Sequence, residues 1–305
     1  MRRLGRDQAR YAFDATLEPA LEVDDGESFW LETWDAHRGT ITDESIVYGS
    51  LQEVFDRLGG ANPLTGPVAL RGAAAGDCLA VAIEEIRPAP RRGHGYTCTT
   101  PAVDRAFEPE TVICPIDADE VLLPTAAGAV RLPLEPMIGT LGVAPLDLRP
   151  SFEQGADFLG NVDLPDLRAG ATVVLRAQVE GGLLFVGDAH LAQGDAEIHR
   201  AAIETEADVR LSIHRLGDDD AELVGLPQLN AAGFWGSIAA GPGGLEDLIR
   251  TAYDDLARRL VGARGLRRAD AYRLLGAAGR IRVGQLVPPL RSVLATIPID
   301  LLPVR

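Results

Sequence analysis

Lysine is missing from this 305-residue chain, so all 29 of its basic residues are arginine. A guanidinium stays protonated and serves neither as a general base nor as a Schiff-base amine, which excludes the lysine-dependent Ser/Ser/Lys and Glu/Lys/Cys hydrolytic designs. Cysteine is scarce: Cys78, Cys98 and Cys114 have no Cys-x-x-Cys spacing, and an odd count argues against a disulfide framework. No Gly-x-Ser-x-Gly elbow and no His-Glu-x-x-His helix occur in the sequence. Four arginines stand among the first ten residues, but no apolar run of signal-peptide or membrane-span length follows them. A cytoplasmic protein without a membrane partner is therefore expected, and reduced thiols fit that compartment. The formal net charge of −16 repels phosphate backbones, so nucleic acid is not an expected partner either.

The chain carries 46% hydrophobic residues, enough to bury a substantial core. From about residue 15 to 215 the pattern is short apolar runs broken by Gly, Pro and Asp, such as Pro67–Leu70, Leu79–Ile83 and Thr172–Leu175. These are strand signals at sandwich-like spacing. From about 216 to 305 the character changes. Leu245, Leu248, Ile249, Ala252, Leu256 and Leu260 fall on one helical face, with Arg258 and Arg259 near the expected C-terminus. A second helix is expected over Ala269–Ala278, stopped by Gly279, and a last strand over Ser292–Ile297. No linker separates these parts. The expected fold is mainly β, sandwich-like, with an α+β C-terminal part, the whole forming a single compact unit over 1–305.

The densest chemistry follows the apolar run Leu183–Val186. Gly187-Asp188-Ala189-His190 opens a glycine-rich turn that continues to Gln193-Gly194-Asp195-Ala196-Glu197. Two residues apart on extended backbone, Asp188 and His190 point to one side and can grip one cation through oxygen and nitrogen. Glu197 or Asp195 could then orient a water or accept its proton. A polar β-turn, with Asp188 capping amides and His190 merely solvated, is the competing reading of the same residues. Asp35-Ala36-His37 repeats the Asp-x-His spacing and could complete such a shell, or could be an edge strand with alternating faces.

Read together with motifs elsewhere, this segment resembles the acetamidase/formamidase family. The matching residues are Gly187-Asp188-x-His190-x-x-Gln193-Gly194-Asp195-x-Glu197 through Ala202-Ile203-Glu204. Others are Glu32-Thr33-x-Asp35, Asn62-Pro63-x-Thr65-Gly66-Pro67, Ile138-Gly139-x-Leu141-Gly142, Gly160-Asn161-Val162-Asp163 and Arg282-Val283-x-Gln285-Leu286. Their order is kept from about residue 15 to 298. The resemblance implies hydrolysis of a small linear carboxamide to carboxylate and ammonia, a homo-oligomer, and a bound divalent cation, zinc first. It places the site where Asp35, Asn161, Asp163, Asp188 and His190 meet. On this basis Asp35, Asp188 and His190 are the expected metal ligands, and Glu197, Asp195 and His190 the catalytic residues. Asn161, Asp163 and Gln193 are expected to contact substrate. This chain has Phe158 where the family has histidine, alanine where it has glycine at Ala189 and Ala196, and Arg280 where it has an acidic residue. A catalytically altered member that binds a small ligand or serves in an assembly is therefore the alternative, as is a hydrolase of a cyclic or ureido C–N bond.

Overall fold

Alternating apolar residues in the front of the chain build two sheets whose inner faces share one core, as seen in a computed structural model that describes residues 1–99, 108–287 and 289–303. One sheet has nine strands, in the spatial order Arg3–Leu4, Ser28–Glu32, Ala207–Arg215, Cys78–Pro88, Thr172–Arg176, Gln228–Ala231, Phe234–Pro242, Leu290–Pro298 and Arg280–Val283. The other, of eleven strands, is centred on Leu184–Ala192, which lies between Met137–Val143 and Ile203–Thr205. Leu64–Leu70 also pairs with Leu184–Ala192, over its first half, Leu184 to Gly187. Phe29, Leu31, Val81, Val173 and Val209 from the first sheet meet Leu64, Leu141, Leu159, Phe185 and Val186 from the second in one buried cluster. Each such side chain contributes about 1.5–3 kcal/mol when fully buried, so the shared core fixes the register of both sheets.

The C-terminal elements form where the apolar periodicity placed them. The helix Leu245–Arg264 buries Ala252, Leu256 and Leu260, and with Ala271 and Leu275 of the helix Arg268–Ala278 it covers Ala239, Ala295 and Ile297 of the nine-stranded sheet. Arg259, expected near the helix C-terminus, does not end it. The helix runs one turn further, and Arg259 is buried, 4.4 Å from the Trp235 ring centroid and donating to Asn230 Oδ1 at 2.9 Å. Burial pulls its pKa down to about 10. No described helix is long and apolar enough to cross a membrane.

One helix, Leu51–Leu58, stands in the half read as strands only. Ser50 caps it by accepting from the Glu53 amide at 3.2 Å, while the Glu53 carboxylate accepts from the Gly49 amide at 2.8 Å. The Ser-x-x-Glu spacing that signals such a cap is present in the sequence. The segment after Val186 also departs from expectation, because it stays in the sheet to Ala192 instead of leaving it as a turn.

Candidate metal centre and active site

Strand register brings the polar residues together. His190 lies directly opposite Glu204, and Thr140 directly opposite Asn161. Gly139 falls beside Asp188, and a side chain there would meet Asp163 Oδ1 at 2.3 Å and Asp188 Oδ2 at 3.0 Å, so only glycine leaves room for both carboxylates. Asp163, Asp188 and Glu197 all adopt left-handed backbone, with φ of 46°, 56° and 42°. Such conformations cost on the order of 1–3 kcal/mol and persist where the surroundings over-determine them, commonly at functional sites.

The surroundings here are hydrogen bonds, each anchoring one atom of a carboxylate. Asp188 Oδ2 accepts from Asn62 Nδ2 at 2.7 Å, and Asn62 Nδ2 also reaches Asn161 Oδ1 at 3.1 Å. Asp163 Oδ2 accepts from Asn161 Nδ2 at 2.7 Å and Gln285 Nε2 at 2.9 Å. One oxygen of Glu204 accepts from the Ala202 amide at 3.1 Å. Gln193 holds the histidine. Its amide nitrogen donates to the carbonyls of Asp163 at 2.5 Å and Gly284 at 3.1 Å, which leaves Oε1, 2.9 Å from His190 Nδ1, to accept the ring N–H.

After this anchoring, Asp163 Oδ1, Asp188 Oδ1, His190 Nε2 and Glu204 Oε2 remain buried without a hydrogen bond. They converge: His190 Nε2 is 3.6 Å from Asp188 Oδ1 and 3.3 Å from Glu204 Oε2. Within the cluster, ligand atoms of Asp163, Asp188 and His190 lie within 4.8 Å of one another, and so do those of His190, Glu197 and Glu204. Among the described residues no arginine pairs with Asp163, Asp188, Glu197 or Glu204. Burial, followed by the charge of Asp188, pushes Asp163 up to about 8. Glu197 is raised by burial and then by Asp163, and Glu204 by burial against the pull of His190. Burial alone would lower His190, but the Glu204 and Asp188 carboxylates outweigh it and raise it well above the ordinary histidine range. Buried carboxyls around one imidazole thus form two triads that share His190, Asp163–Asp188–His190 and His190–Glu197–Glu204, and each could hold a metal ion.

Asp188, Glu197, Glu204, Asn62, Asn161 and Gln285 also face a cavity of about 320 Å³. Glu204, Asn62, Thr140 and Gln285 had no site role in the sequence reading. Glu204 carried the clearest available signal, a carboxylate between Ile203 and Thr205 in a strand-forming run.

Three expected site residues stand elsewhere. Asp35 is buried, yet the structure does not bring it to either group of ligand atoms. Its Oδ1 accepts from the amides of His37 and Gly39, both at 2.9 Å, and from Tyr96 Oη at 3.1 Å, while Oδ2 pairs with Arg92 at 3.2 Å. Asp195 is exposed and paired with Arg282 at 2.8 Å. Gln193 faces His190 rather than the cavity. The residues that depart from the family pattern leave the cluster intact. Phe158 lies in the core, edge-on to Phe13 at 5.2 Å between ring centroids, and does not line the cavity. Ala189 is buried in ordinary strand backbone. Ala196 does take the left-handed conformation, at φ 75°. Arg280 is exposed on an edge strand.

Comparison with known proteins identifies the family and the fold. The model of the Acetamidase/Formamidase family matches residues 6–147 and 150–226. An acetamidase from Bacillus halodurans superposes with a TM-score of 0.88 at 29% identity, covering 99% of this chain and 100% of its own. An acetamidase from Yersinia enterocolitica gives 0.88 at 29% identity over 99% and 93%, and a predicted acetamidase/formamidase from Thermoanaerobacter tengcongensis gives 0.85 at 26% over 97% and 95%. No match was found among curated proteins. The chain belongs to the acetamidase/formamidase family, hydrolases acting on the carbon–nitrogen bonds of linear amides.

Proposed function

We propose that this protein hydrolyses a small primary carboxamide with the help of a divalent cation, zinc before others, held by Asp163, Asp188, His190 and Glu204. The observation that carries the reading is the set of four bare, buried donor atoms. The two separations around His190 Nε2, 3.3 Å to Glu204 and 3.6 Å to Asp188, fall in the roughly 3.3–3.6 Å range of a tetrahedral edge when ligands sit about 2.0–2.2 Å from zinc, and the ligand atoms group as Asp163–Asp188–His190 and His190–Glu197–Glu204. When bound, the cation supplies Lewis acidity and eases deprotonation of water near neutral pH.

The chain's own groups do the rest. Glu197, beside the ligands and facing the cavity, takes the proton of the attacking water and returns it to the amide nitrogen, so that the C–N bond breaks to give carboxylate and ammonia. Burial and the neighbouring Asp163 raise its proton affinity above that of an ordinary carboxylate. Asn161 and Asn62 fix the carboxylates of Asp163 and Asp188 by their amide nitrogens and shape the polar end of the cavity. Gln193 holds the imidazole with Nε2 bare, a positioning role in place of the substrate contact first expected. In the same reading the enzyme is a cytoplasmic homo-oligomer whose partner is its amide substrate.

Ammonia release from short amides, assayed before and after chelation and after adding zinc back, tests the proposal. Activity lost on chelation and restored by the metal is expected. Undiminished turnover by metal-free protein would refute it.

A further inference from the structure

The cavity is larger than the smallest amides, and apolar side chains line it alongside His37, Ser50, Glu153 and Arg200. Its polar end, at Asn62, Asn161, Asp188, Glu197 and Glu204, accommodates a carboxamide group. The wall beyond it is built from Tyr48, Val54, Ala61, Cys98 and Ala201, all buried and packed in one hydrophobic cluster with Ile41 and Tyr96. Leu51, 44% exposed, stands further out with Val287 and Leu290. At about 30 Å³ per water-sized group, the 320 Å³ cavity holds about ten such groups, whereas acetamide has only four non-hydrogen atoms. An acetyl group would leave this wall uncovered, and a longer acyl chain would bury it.

We infer that the preferred substrate is a primary amide with an uncharged apolar acyl group of about four to six carbons or a single aromatic ring. The inference rests on the amidase reading and adds the acyl class. The carboxamide lies among the asparagines and carboxylates, and the acyl chain runs along Val54, Ala61 and Ala201 towards Leu51. Each methylene placed against such a wall raises kcat/KM by about tenfold or more.

The test measures kcat/KM for acetamide, butanamide, hexanamide and benzamide with the metal-loaded wild type, Val54→Phe and Ala201→Leu. A rise from acetamide to hexanamide is expected in the wild type. The hexanamide-to-acetamide ratio should fall at least tenfold in whichever variants retain the fold by circular dichroism. Acetamide as the best substrate, or a ratio unmoved in a folded variant, would overturn the inference. Should no amide be hydrolysed, the amidase reading falls and calorimetric binding decides the acyl class on its own. Hexanamide binding at least tenfold tighter than acetamide supports it, and equal or undetectable binding overturns it.

Discussion

Gln193 and His190 form a pair of fixed polarity. Both donors of the Gln193 amide go to main-chain carbonyls, so its oxygen takes the Nδ1 proton and Nε2 faces Asp188 and Glu204. Gln193→Leu removes that acceptor. We expect about a 10–100-fold loss of metal affinity, measured by competition with a chromophoric chelator, with the circular dichroism of the fold unchanged.

Gly139→Ala addresses the space between the carboxylates. Its methyl would lie 2.3 Å from Asp163 Oδ1 and 2.9 Å from the Asp188 carbonyl. Loss of bound metal and of activity is expected, read by elemental analysis. Retention of both would mean that the carboxylates do not need this gap.

Asp35→Asn separates a structural carboxylate from a ligand. Tyr96, Arg92 and two amides surround Asp35, and leaving such buried donors poorly matched costs about 1–3 kcal/mol. The expected result is a lower melting temperature with unchanged metal stoichiometry.

The metal-stripped protein should lose stability as pH rises. Asp163 has a folded-state pKa of about 8, above its value in the unfolded chain. The stabilising contribution of its protonated form is therefore complete below the ordinary carboxylate range and is lost as pH climbs through about 8. Glu197, Glu204 and His190, also raised, act in the same direction. Thermal melts in a chelator between pH 5 and 9 should show a falling midpoint, steeper than that of the metal-loaded protein. Parallel curves would contradict this.

Thiol chemistry should be silent. Cys98 faces the cavity, but burial pushes it and Cys114 up to about 12, and Cys78 is raised as well. The thiolate is the reactive form, so iodoacetamide should leave activity intact from pH 7 to 9.

Much of this was legible in the sequence, and for physical reasons. The helices Leu245–Arg264 and Arg268–Ala278 declare themselves because an apolar stripe at helical spacing must find a sheet to cover. Asp188 and His190 could be paired because spacing along one strand is local information. Their convergence with Asp163 and Glu204 is not local: it depends on which strand lies beside Leu184–Ala192 and in what register. The same limit applies to Asp35 and Asp195. Both stand in segments with the right chemistry, but one carboxylate is consumed by Tyr96 and Arg92 and the other by Arg282. Phe158 looked like a site residue lost from the cluster, and only packing against Phe13 shows that it belongs to the core.

Asp163, Asp188, His190 and Glu204 are proposed to hold one cation. The most direct measurement is the metal content of purified wild type beside Glu204→Gln, by inductively coupled plasma mass spectrometry. About one equivalent of zinc per chain is expected in the wild type and is lost in the variant. Equal metal in both proteins, or full amidase activity with no metal in either, would contradict it.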